Sequence, residues 1–180
     1  IFRRFLNDNK LTKSKLEMYM KGAQNSIDCH YEIDFDGRAI VGDDPDNIND
    51  RSYGNGNVIG PDKDGASHGT HVTGIIASNR INGKGNRGVF DQAKVMVLRA
   101  VPDGDEYDKD IALAIRYAAD NGAKVINTSF GKGFSPHKEW VWDALKYAEE
   151  KDVLIVNAAG NSGANVDPGN KKTYITDEVD

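Results

Sequence analysis

The feature that most constrains this chain is the alternation of helical and strand-like apolar patterning that begins at His68. Val72, Ile75 and Ile76 mark one face of a first helix, and the run Val95-Met96-Val97-Leu98 predicts a strand over Lys94–Val101. A helix follows around Asp108 to Asn121 with Gly122 as its stop, then a strand at Lys124–Thr128. Next come a helix whose Trp140, Val141, Ala144, Leu145 and Ala148 form an apolar stripe, and a last strand at Val153–Ala158. Helices and strands in strict succession predict an α/β fold with a mostly parallel sheet, because parallel neighbours must be joined by a long crossover, usually a helix. Unbroken apolar runs further predict strands covered on both faces. Within the stripe Trp140 reads as core and Trp142 as a surface or partner contact.

The first third of the chain is different. From Asn7 to Gly22 the loosely helical spacing of Leu11, Leu16 and Met20 predicts a short, mostly exposed helix. Ile27, Cys29, Tyr31, Ile33 and Phe35 alternate with polar residues, the period of a strand wet on one face. Residues 36–67 are rich in Asp, Asn, Gly and Pro with no sustained hydrophobic period, and predict a long functional loop. No unit recurs at a fixed interval, which excludes a repeat array.

Bulk properties exclude several classes. A length of 180 residues suits one domain, and 38% hydrophobic residues allow a core without suggesting a membrane span. A formal charge of -5 offers no broad basic surface for nucleic acid or anionic lipid, so neither nucleic acid nor membrane is expected as a partner. One cysteine, Cys29, cannot form an internal disulfide and leaves the redox compartment open. The chain opens Ile1-Phe2-Arg3-Arg4 with no initiating methionine or apolar signal core, as an excised segment or a mature fragment would.

The most specific string is His68-Gly69-Thr70-His71-Val72-Thr73-Gly74-Ile75-Ile76-Ala77, which opens a helix directly after a glycine-rich loop. An imidazole at a helix mouth is accessible yet firmly mounted, and it can take a proton near neutral pH and return it. Taken singly, His68 would read as a surface histidine. Two further strings stand at strand ends, Val125-Ile126-Asn127-Thr128-Ser129-Phe130-Gly131 and Val153-Leu154-Ile155-Val156-Asn157-Ala158-Ala159-Gly160-Asn161. A lone Ala-Gly-Asn turn would make Asn161 a helix cap or turn residue.

Together the three strings resemble the subtilisin-like serine protease family, the subtilases. The resemblance implies a three-layer α/β sandwich with a mostly parallel sheet, here incomplete, and serine endopeptidase activity on peptide or protein substrates. His68 would be the catalytic histidine and His71 a structural one. Asn161 would supply the oxyanion hole, its amide N–H aimed from the end of a buried strand without reorganisation. Ser129, Phe130 and Gly131 would contact substrate, pairing with it as an extended strand and walling its specificity pocket. Gly104 to Tyr107 would form the opposite wall.

Two family elements are missing. The nucleophilic serine sits in the family within a Gly-Thr-Ser-Met-Ala-type segment, and no such string occurs in the 180 residues, so Ser129 is not the nucleophile. The aspartate belongs to an Asp-Ser-Gly or Asp-Thr-Gly setting after a buried strand, also absent. Asp36-Gly37 lies 32 residues before His68, but the preceding segment alternates Glu32, Asp34 and Asp36 with apolar residues, which is wrong for a strand covered on both faces. The aspartate is therefore expected upstream of Ile1, with residues 1–57 an insertion holding a short helix and an extended arm. Residues 58–180 would be a partial catalytic domain, and the resemblance covers roughly residues 58–163, leaving the first third outside it. The piece alone is expected to be inactive and, with sheet strands missing, open to self-association.

Two other readings fit parts of the sequence. A non-catalytic module could use the Ser129 strand edge to bind a peptide. A zinc hydrolase could use His68 and His71, but no Glu stands between them in the HExxH manner and no third ligand is evident, so no metal ligand is assigned. No cofactor is required. Asp43, Asp44, Asp46 and Asp50, with Asp62 and Asp64, could offer oxygens to the structural calcium some subtilases bind, yet neither run fits an EF-hand, and solvated turns suit them better. By resemblance the protein would be extracellular or in the cell envelope of a bacterium.

Overall fold

Where apolar residues recur at helical spacing the chain forms helices, and where they run continuously it pairs only if a neighbour is at hand. The computed structural model describes residues 11–61, 63–102, 106–161 and 163. Its elements are α1 (Lys13–Asn25), α2 (Gly37–Val41), α3 (Ser67–Ala77), α4 (Asp108–Asp120), β1 (Val125–Thr128), α5 (Lys138–Glu150) and β2 (Leu154–Asn157). Two units emerge, one of Ile1–Tyr53 with Val101–Tyr107, the other of Gly54–Ala100 with Asp108–Asp180.

In the first unit α1 starts at Thr12, whose side-chain oxygen accepts the Lys15 amide at 3.2 Å, and it has no buried residue. The sequence places this helix from Asn7; residues 7–10 lie outside the described residues. The strand expected over Ile27–Phe35 does not form. Residues Ser26–His30 instead continue α1 as a single π-helical turn closed by the Tyr31 amide on the Ser26 carbonyl at 3.0 Å, and Ile33 is 96% exposed. Alternation specifies a strand only where a partner edge can take its backbone groups, and an unpaired segment satisfies them locally instead. The long loop is interrupted by α2. Asp36 caps it, accepting the Arg38 and Ala39 amides at 3.0 Å each, and Gly42 ends it at φ 74°, a left-handed conformation that costs glycine nothing. Arg38 is buried, 3.2 Å from Asp43 and with its guanidinium carbon 3.8 Å from the Tyr107 ring centre.

In the second unit, α4 buries Ile111, Ala112, Ile115, Ala118 and Ala119, and packs along the face of α5 that carries Val141, Ala144 and Ala148. Burying each isoleucine contributes about 1.5–3 kcal/mol, and the small alanines let the helix backbones approach. Trp140, expected in the core, is half-buried and stacks on His137 at 4.0 Å, because the buried stripe of α5 is narrower than its apolar residues. Trp142 is also half-buried, with Lys138 Nζ 4.8 Å from its ring.

After α4, Gly122 turns the chain at φ 84° while the Ala123 amide reaches the Ala118 carbonyl at 3.0 Å, launching β1. The crossover through α5 returns the chain to β2. The two strands are parallel, with Val125 opposite Leu154 and Thr128 opposite Asn157. Ile126, Thr128, Ile155 and Asn157 share the more covered face, whereas Val125, Leu154 and Val156 on the other are 58%, 61% and 47% exposed. The expectation of strands covered on both faces is thus not met in the described residues.

The predicted strand Lys94–Val101 forms no strand and joins no ladder among the described residues, and Val95, Met96, Val97 and Leu98 are 37–50% exposed. An apolar run favours a sheet position, but among the described residues no strand pairs with it.

Candidate active site

Ser67 and His68 are the first residues of α3, entered through a short 3-10 turn at Asp64–Ala66. His68 and His71 are one helical turn apart and both exposed. Two local devices shape the approach. Asn57 closes the preceding turn, its side chain accepting the Gly60 amide at 3.2 Å and donating to the Gly60 carbonyl at 3.1 Å. Arg99 then donates to the Ile59 carbonyl, its guanidinium lying where a Cβ on Gly60 would stand. After the helix, the Val89 and Phe90 amides bond back to the Ile75 and Ile76 carbonyls at 3.0 and 2.8 Å. The imidazole thus sits at the mouth of a helix that is tied at its carboxyl end.

The second part of the site is built by the sheet. Because β1 and β2 are parallel and in register, Ser129–Gly131 and Ala158–Asn161 leave it at the same carboxyl edge. Thr128, 3% exposed, lies 2.6 Å from the Asn157 side-chain oxygen, and the Ala158 amide extends the ladder to the Thr128 carbonyl at 3.0 Å. The side-chain Nδ2 of Asn127 donates to Ser129 Oγ at 2.9 Å. Ser129 and Phe130 are half-buried and Gly131 is exposed. Gly160 takes φ 83°, a turn conformation that suits glycine, and presents Asn161 exposed at the edge.

The structure therefore brings Ser129–Gly131 and the Asn161 segment to one edge. It joins His68 to neither: among the described residues no hydrogen bond or ion pair links the imidazole to Asn161, Ser129 or a carboxylate, and α3 packs chiefly on the turn before it. Asp36 spends its carboxylate capping α2. Of the opposite wall, residues 103–105 lie outside the described residues, as does Asp62. Among the described residues no group of three or more His, Cys, Asp or Glu is arranged to hold a metal ion.

Sequence reasoning missed Asp108. Its carboxylate, 3% exposed, receives Lys132 Nζ at 3.0 Å, Ser135 Oγ at 2.7 Å and the His137 amide at 2.9 Å. An acidic residue in a first helical turn reads as an ordinary dipole partner; nothing local foretells contacts 27 to 29 residues away.

A parallel β-α-β unit with a histidine-bearing helix upstream, and two chain segments leaving one sheet edge, make this an α/β protein with its candidate site at the carboxyl edge of a parallel sheet. The chain matches the profile of the Subtilase family over residues 9–178 and belongs to that family. The match runs past 58–163, which carry the quoted motifs, at both ends.

Among curated relatives, the chain is 41% identical over 100 residues to the thermophilic serine proteinase of Bacillus sp. strain AK1, covering 55% of this chain and 24% of that protein. It is 48% identical over 103 residues to the cell wall-associated protease of Bacillus subtilis strain 168, covering 57% and 11%. To thermitase of Thermoactinomyces vulgaris it is 36% identical over 102 residues, covering 56% and 36%. Among solved structures, S41 psychrophilic protease aligns with a TM-score of 0.47 at 40% identity, covering 54% of this chain and 33% of that one. The chain spans a minor part of each relative's length.

Proposed function

We propose that the chain is part of a serine endopeptidase of the subtilase type, with His68 as general base and Asn161 in the oxyanion hole. In this reading the imidazole of His68 takes the proton of a serine hydroxyl as its oxygen attacks the scissile carbonyl, and returns it to the leaving amine. The Asn161 amide and a backbone N–H hold the negative oxygen of the tetrahedral intermediate. The strand end Ser129–Phe130–Gly131 pairs with extended peptide and walls the pocket for one of its side chains. The serine and the aspartate that orients the imidazole come from the remainder of a longer protein, since no matching segment occurs in the 180 residues. The chain by itself is then inactive.

The observation that supports this reading is the in-register parallel pairing of β1 and β2, from whose carboxyl edge Ser129–Gly131 and the segment leading to Asn161 both continue. Family membership supports the reaction class. The relative named as a cell wall-associated protease supports an extracellular or envelope location in a bacterium, and peptide or protein is the substrate class. The reaction needs no cofactor.

The test uses the complete gene product. It should label with a fluorophosphonate probe, and His68→Ala should abolish that labelling; labelling of His68→Ala at the wild-type rate would overturn the assignment. Asn161→Ala should retain labelling while lowering kcat by about 10²–10³-fold, a magnitude borrowed from subtilisin's own oxyanion asparagine.

A further inference from the structure

We infer that Asp108 is the positioning residue of the substrate wall, and that by holding Lys132 it also keeps that wall electrically neutral. The inference deepens the proposed function and rests on its assignment of Ser129–Gly131 as that wall.

The wall is a three-residue span between two fixed points. Behind it, Thr128 is buried in β1 and tied to Asn157 of the neighbouring strand. Ahead of it, the chain from Lys132 to His137 is gathered onto one carboxylate. Lys132 Nζ and Ser135 Oγ reach one Asp108 oxygen at 3.0 and 2.7 Å, and the His137 amide reaches the other at 2.9 Å. The three donors stand at the start, inside and at the end of the segment, so this side chain holds its path. His137 immediately precedes α5, and its amide is among those a helix start leaves without an intrahelical acceptor. Asp108 itself opens α4, which packs along α5. The anchor is therefore part of the best-packed region of the unit, and three residues strung between it and the sheet have little freedom to move.

Lys132 follows Gly131 directly, yet its side chain is only 12% exposed because it turns inward to Asp108. A cation one residue beyond the wall would attract acidic substrate side chains and repel basic ones. Paired with a carboxylate that is 3% exposed, it does neither. Charge-assisted bonds at this burial hold their geometry far better than an exposed ion pair does.

The complete gene product carries the test, with Asp108→Asn, Ser135→Ala, and Asp108→Asn combined with Lys132→Met. Steady-state kinetics on paired peptides, differing only in a neutral or an acidic side chain at the pocket position, are read beside fluorophosphonate labelling. Asp108→Asn should raise KM for the neutral peptide by about fivefold or more with kcat within about twofold, the pattern of lost uniform binding. It should also shift preference toward the acidic peptide, and adding Lys132→Met should reverse that shift while leaving KM high. Labelling should stay at the wild-type rate. If Asp108→Asn does not fold, as circular dichroism would reveal, Ser135→Ala keeps the ion pair and must still raise KM. Unchanged KM in the folded variants, or a preference for acidic peptides that persists without Lys132, overturns the inference. Failure of the unsubstituted protein to label strikes the proposed function instead.

Discussion

Asp152 takes φ 57°, the one positive value at a non-glycine position among the described residues. It follows α5, where its amide reaches the Glu149 carbonyl at 2.9 Å and the Val153 amide reaches that of Ala148 at 3.0 Å, a helix stop usually assigned to glycine. A side chain in the left-handed region costs about 1–2 kcal/mol, and part of that gain is offset by the extra freedom of unfolded glycine. Asp152→Gly should therefore stabilise the unit by about 0.5–1 kcal/mol, read as a higher urea midpoint with an unchanged slope. At Asp36 the expected sign is opposite. Its carboxylate accepts two amides at the start of α2, so Asp36→Ala should cost about 1 kcal/mol. Both roles are visible in the sequence only as residues that favour turns; which turn each makes depends on the backbone around it.

At the scale of elements, the α4–α5 contact is the main source of packing energy. Ile115 is 3% exposed on a helix that packs along α5, so Ile115→Ala should leave a cavity and destabilise by about 2–5 kcal/mol in urea unfolding. Ala144, fully buried on α5, has no room for more, and Ala144→Leu should cost about 1–3 kcal/mol through displaced backbone. The same two helices meet at their carboxyl ends through Asp120. The Tyr147 hydroxyl donates to it at 2.6 Å and Lys151 lies 3.0 Å away. The tyrosine hydrogen bond, then the lysine, hold the Asp120 carboxyl below its ordinary range, and the same carboxylate, then Tyr147, raise the Lys151 ammonium. A depressed carboxylate supports the fold above its unfolded-state pKa and loses that support as pH falls through the folded value. The raised lysine gives support below its unfolded-state pKa and loses it as pH rises through the higher folded one. Tyr147→Phe should move the Asp120 titration upward in carboxyl carbon NMR; no movement would show that the hydroxyl is not the main cause.

For the whole molecule, the outstanding property is apolar surface without cover. Val95 to Leu98 and the open face at Val125, Leu154 and Val156 are the sort of run that sheets normally bury, and together they favour association. The isolated 180-residue chain should sediment with a concentration-dependent mass, and Val97→Lys should lower that dependence. A monomer at all concentrations would contradict the expectation. No helix among the described residues is long and apolar enough to cross a membrane.

Period and punctuation made much of this legible beforehand. The helices around Val72, Ile111 and Val141, the stop at Gly122, and the paired strands ending at Thr128 and Asn157 all follow from local spacing, which fixes backbone geometry within a few residues. Family membership was equally legible, because the strings around His68, Ser129 and Asn161 are contiguous. Long-range partnership was not. Among the described residues the segment at Ile27–Phe35 had strand period but joined no strand, the run at Val95–Leu98 had strand composition but no pairing, and Asp108 acquired three donors from a distant loop. Periodicity records which face a residue would bury. Only the folded chain decides whether anything stands there to bury it, because burial and pairing energies depend on neighbours brought together in space.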